Sequence, residues 1–114
     1  MNRYSLLKAG INASEGIHRF NGNAELYEKF LKQFAQDESF NTLCKAIQNR
    51  NVKAAFAAAH ALKGVAGNLS MNRLHTDLFP LVEELRAGSL DRADALLRPV
   101  EADYQTIMSE IATL

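Results

Sequence analysis

From residue 26 to residue 111 the apolar side chains recur three and four positions apart, and nowhere do they alternate. Leu26, Tyr27, Phe30, Leu31 and Phe34 make one stripe, and Phe40, Leu43, Cys44 and Ile47 make another. Leu74, Leu78, Leu81, Val82 and Leu85 make a third, and Leu90, Ala93, Leu97, Val100, Tyr104, Ile107 and Ile111 a fourth. A repeat near 3.6 residues can be buried on one side only if the backbone is helical. The residue choice agrees. The chain has 17 Ala and 15 Leu against 13 Val, Ile and Thr together, and its six Gly and two Pro are fewer than an average sequence of this length carries.

Local signals divide the chain. Leu6 and Leu7 belong to a short N-terminal helix or arm that Gly10 ends, and residues 11–23, with Gly16 and Gly22, read as a short helical turn between loops. The first long helix follows, and Gln36-Asp37-Glu38 separates it from the second. Asn51 is placed to cap a third helix over Val52 to Leu69. A fourth runs from about Met71 to Ala87, with Gly88 as its stop and Pro80 inside it. Ser89 is placed to cap the last helix, in which Pro99 predicts a second bend. The expected fold is all-α. It is an antiparallel up-and-down four-helix bundle with a short N-terminal helix capping one end, and residues 1–114 form a single domain.

The charges exclude several classes of function. Thirteen basic and thirteen acidic residues cancel, and no basic cluster is interleaved with aromatic residues, so nucleic-acid binding is not expected. No apolar run suits a signal peptide or a membrane span, and Cys44 alone can make neither an internal disulfide nor a thiolate zinc site. Cys44 lies on its helix's apolar stripe and reads as a small buried hydrophobe. A reducing, cytoplasmic setting is expected. The zero sum hides a polarity, because residues 39–76 hold Lys45, Arg50, Lys53, Lys63 and Arg73 with no acid, whereas residues 77–114 hold eight acids and three Arg. These segments either face and neutralise each other or leave a basic docking surface.

The third helix carries the chemistry. With Val52 at zero on a helical wheel, Ala55, Ala59, Leu62, Ala66 and Leu69 gather between roughly 260° and 340° and form a core face. His60 falls near 80°, with Lys53, Gly64 and Gly67 within about 40° of it and Phe56 and Lys63 between about 20° and 40°. His60 therefore points to solvent. A glycine in a helix interior costs about 1 kcal/mol relative to alanine, and this helix uses alanine freely. Gly64 and Gly67 thus suggest that something approaches the backbone closely beside His60. An imidazole of ordinary basicity is mostly neutral at pH 7 and is a good nucleophile, and Lys63, three residues on, can stabilise negative charge delivered to the ring. The constellation suits an exposed phosphoacceptor histidine. His75, beside an apolar stripe, reads as structural, and His18 lies in the N-terminal connection.

The string from His60 through Lys63, Gly64, Gly67, Asn68 and Leu69 resembles the signature of histidine-containing phosphotransfer (HPt) domains, roughly His-x-Leu-Lys-Gly, small residues, then Asn-Leu-Gly. The segments around Gly10-Ile11-Asn12, residues 19–23 and Leu26 to Phe34 are similar to the opening helices of the same family. Ser70 departs from the pattern, standing where the motif usually has Gly, and a local backbone effect is expected there. The resemblance implies a four-helix bundle in which His60 takes a phosphoryl group from a receiver-domain aspartate and passes it to another. It implies that Lys63 lies near the phosphoryl group and that Gly64 admits the partner.

On that basis the chain is expected to serve a two-component phosphorelay as a phosphoprotein, with response-regulator receiver domains and a hybrid sensor histidine kinase as partners. Phe56 and Ala57 form the apolar part of the docking surface, and Lys53 and Lys63 the charged part. No nucleotide-binding or kinase motif is recognisable, so ATP chemistry falls to a partner, and no cofactor is expected beyond Mg²⁺ held by the receiver. A complete set of bundle helices favours a monomer, and Met1 so near the first helix favours a free-standing protein. Two rivals remain. One is an HPt-fold adaptor that binds receivers without phosphotransfer. The other is a metal-binding bundle built on Glu15-x-x-His18, which lacks the second such pair that a di-metal site needs.

Overall fold

A computed structural model describes all 114 residues, and it is helical throughout, with no strand. The helices are α1 (Arg3–Lys8), α2 (Ala13–Arg19), α3 (Ala24–Gln33), α4 (Ser39–Gln48), α5 (Val52–Asn68), α6 (Asn72–Arg86) and α7 (Ala93–Ile111), and a 3-10 turn (Phe34–Gln36) extends α3. Four of them begin alike. Asn2, Asn12, Asn23 and Asn51 each accept a hydrogen bond through the side chain from the backbone N–H three residues on, at 3.0 to 3.1 Å.

Five of them also end alike. After α1, α2, α4, α5 and α6 a residue with positive φ turns the chain: Gly10, Asn21, Arg50, Ser70 and Gly88. At each, the next N–H reaches back to a carbonyl of the last helical turn, as in Met71 N–H to Ala66 C=O at 2.8 Å. This paired closure satisfies the carbonyls that a helix end leaves free. It also limits each connection to a few residues, which drives successive helices antiparallel.

The expected four-helix bundle is present as α4 to α7, and α3, read from the sequence as the first long helix, falls outside it and belongs to the N-terminal cover. Helix α4 packs on α5, α5 on α6 and α6 on α7, and α7 returns to α4. Ala55, Ala59, Leu62 and Ala66, the core face derived from the wheel, are fully buried, and one core of 28 buried residues runs from Leu6 to Ile111. The N-terminal cover is larger than one helix. Helix α1 sits against the end of α7, where the Ser5 hydroxyl donates to Glu110 at 2.7 Å, while α2 is two full turns that lead into α3.

Two local expectations need correction. Ser89 does not cap α7: its hydroxyl accepts from the Asp91 N–H in a turn, and α7 begins only at Ala93. Leu26 and Phe30 are exposed although they share a stripe with Tyr27, Leu31 and Phe34, because the surface that α3 covers is narrower than the stripe. The basic and acidic segments do meet through α5, α6 and α7, yet none of the four ion pairs includes Lys45, Arg50, Lys53, Lys63 or Arg73. Helices α6 and α7 run on through Pro80 and Pro99. Both prolines are exposed, so water can serve the carbonyls they leave unpaired.

Candidate functional site

Helix α5 presents His60 to solvent, on the side opposite its alanine-rich core face. The imidazole opens onto a shallow depression of about 350 Å³ lined by Arg19, His60, Lys63, Gly64, Gly67, Asn68 and His75. No carboxylate and no apolar side chain lines it. Such a depression attracts an anion and gives an uncharged apolar group nothing to pack against.

Each wall has a local cause. Lys63 is one turn beyond His60 on the same helix, half-buried, with its Nζ 5.0 Å from the ring centroid of the exposed Phe79 on α6. Lys53, two turns before His60, is exposed and shares in no ion pair. The Phe56 ring lies 5.8 Å from that of His60, and the Arg86 guanidinium covers it at 5.0 Å. Phe56 is thus half-buried under a cation, while Ala57 beside it is exposed.

The two glycines differ. A methyl group at Gly64 would meet nothing within 4 Å, so the backbone there is open to an approaching molecule. A methyl group at Gly67 would stand 3.2 Å from Cδ2 of His75. Gly67, expected to clear a path for a partner, instead makes room for an imidazole of the same chain. His75 was expected to be purely structural, but it also forms a wall of the depression.

Two lining residues escaped the sequence reading. Arg19 comes from α2, far from His60 in sequence, and no spacing rule points to it. His75 could have been found by folding the sequence about Met71, which stands midway between Gly67 and His75 and so brings the two side by side. His18 is exposed on α2 and is not among the lining residues. No three His, Cys, Asp or Glu side chains converge where they could hold a metal ion.

A second, larger groove of about 850 Å³ shares Arg19 and Asn68 with the depression. Phe20, Phe30, Phe34, Val65 and Leu69 supply its apolar wall, so the exposed Phe30 forms part of this groove.

Away from His60, Asp103 on α7 is buried, with its Oδ2 unpartnered. Burial pushes its carboxyl up to about 7, a hydrogen bond to Asp77 and that group's charge push the same way, and Arg73 opposes them. Cys44, expected to be buried, is only half-buried, yet desolvation still raises its thiol above the ordinary range, with the charge of Glu101 adding to the effect, so Cys44 is a poor nucleophile.

The Hpt domain family model matches residues 25–112, and the chain belongs to that family. No curated protein and no solved structure matches it.

Proposed function

We propose that this member of the Hpt domain family is a histidine phosphotransfer protein of a two-component phosphorelay, with His60 as the residue that accepts and donates the phosphoryl group. Hpt domains generally work with receiver domains, and the observation that carries the proposal is the depression itself. It is open, free of carboxylates and lined by cations around an exposed imidazole.

In the forward step a ring nitrogen of His60 attacks the phosphorus of an aspartyl phosphate in line. An N–P bond forms, the acyl O–P bond breaks, and the receiver's aspartate leaves as carboxylate. Return to a second receiver reverses these bonds. Mg²⁺ and the groups that steady the aspartate belong to the receiver. Lys63 offsets charge on the transferring phosphoryl group, and the open face at Gly64 lets the receiver's loops come close. Lys53 and Ala57 serve as docking contacts on one side of His60. Phe56 is held beneath Arg86 and contributes less apolar surface, whereas the phenylalanine-lined groove next to the depression offers more.

The test is to incubate wild type and His60→Gln with a phosphorylated receiver domain. Wild type is expected to take up label and His60→Gln none, and equal label on both refutes the assignment. Binding of the receiver with no label on wild type would establish the adaptor instead.

A further inference from the structure

The cations around His60 do not all belong to its helix. We infer that Arg19 of α2 and His75 of α6 join Lys63 to form a three-helix cradle for the phosphoryl group on His60, and that the cradle sets how strongly the phosphoryl group is held. The inference rests on the reading of His60 as phosphoacceptor. Arg19 lies outside the matched span 25–112, so the family match gives it no role.

The structure fixes where α2 stands. Gly16 lies so close to the Tyr27 ring that a methyl group in its place would overlap the ring carbons. Tyr27 is fully buried, and its hydroxyl donates to the Leu69 carbonyl at the end of α5 at 2.7 Å. Phe20, next to Arg19, meets Tyr27 edge to face at 5.7 Å between centroids. The Asn12 N–H donates to the Ser70 carbonyl at 2.9 Å, which ties the start of α2 to the same turn. Helix α2 is thereby fastened across the C-terminal end of α5, and Arg19 is delivered to the depression from a fixed backbone.

Its side chain is free to act. The only ion pair of Arg19 is a long one, 3.9 Å to Glu15 one turn back, and both groups are about half exposed. Such a pair is worth little. A phosphoryl group on His60 brings up to two negative charges, and a guanidinium is matched to its oxygens in shape and charge. His75 is held against Gly67 with its imidazole edge towards the same space, so a ring N–H can donate to a phosphoryl oxygen.

The cradle can be tested first on the protein alone, loaded with phosphoramidate, and then against a receiver. A His60 nitrogen attacks phosphorus, the P–N bond to the amine breaks, and ammonia leaves. ³¹P NMR then follows the second ionisation of the phosphoryl group, from monoanion to dianion, whose midpoint nearby cations shift to lower pH. Arg19→Gln and His75→Gln are each expected to raise that titration midpoint. Each should also lower the equilibrium ratio of phospho-His60 to phosphorylated receiver by about fivefold. Arg19→Lys should recover most of both effects, a rescue that a purely structural role for Arg19 would not produce. Variants that titrate and partition like wild type overturn the cradle. Wild type that takes no more label than His60→Gln overturns the phosphoacceptor reading, and the cradle with it.

Discussion

Replacing Asp103 by asparagine should make the protein more stable at neutral pH, although it alters a buried polar residue. In the folded chain the Asp103 carboxyl titrates at about 7, against 3.8 for an ordinary aspartate. The fold therefore binds this proton more tightly than the unfolded chain does. Stability from that proton is complete below the unfolded value and is lost as pH rises from about 4 towards 7, after which the curve levels. Two pH units at about 1.4 kcal/mol each bound the loss between pH 5 and pH 7 at ~3 kcal/mol, and sharing of the proton with Asp77 lowers our expectation to about 2 kcal/mol. The side-chain amide introduced by Asp103→Asn would donate an N–H to Asp77 without a buried charge. Urea denaturation of both proteins from pH 5 to pH 8 should show wild type losing about 2 kcal/mol and Asp103→Asn losing much less. At pH 8 the variant should be the more stable, by roughly 8 °C in Tm. Parallel curves for the two proteins, or a less stable variant at pH 8, would refute the assignment of a shared proton.

Four further outcomes follow from particular contacts. Ser70→Gly should raise stability by about 1 kcal/mol in chemical denaturation, because Ser70 has φ +56° and a buried hydroxyl with no partner. Gly16→Ala should cost about 2 kcal/mol, since the new methyl group must displace the Tyr27 ring, and the loss should shrink in a Tyr27→Phe background if the Leu69 hydrogen bond is part of it. Gly64→Ala fills open space in a helix interior, so it should raise Tm while slowing transfer from a phosphoreceiver; unchanged transfer would remove the reason for the glycine. Receiver binding measured by calorimetry should weaken as salt rises, because Lys53 and Lys63 have no carboxylate partner of their own.

How much was legible depended on how local the cause was. The wheel of α5 placed Ala55, Ala59, Leu62 and Ala66 inward and His60 outward, and the structure agrees residue by residue. Those directions follow from about 1.5 Å of rise and 100° of turn per residue, which the backbone imposes whatever surrounds the helix. Asn51 was recognisable as a cap, because its side chain and the Ala54 N–H are three residues apart. Ser89 has the same chemistry yet caps only a turn, because the chain must still travel from α6 to the start of α7. Leu26 and Phe30 looked like core residues, but whether a stripe is fully covered depends on the width of the neighbour.

The sequence by itself determined the helices, the outward face of α5 and the residues on it. A repeat of about 3.6 and a capping side chain act within one or two turns, so they can be read without knowing the fold. Only the tertiary structure decided that Arg19 and Lys63 line one depression, that His75 occupies the space Gly67 leaves, and that the buried Asp103 meets Asp77. Those pairings join different helices. They are fixed by the closures that turn one helix back on the next and by the fit of Gly16 to Tyr27, and none of these sets a repeat along the chain.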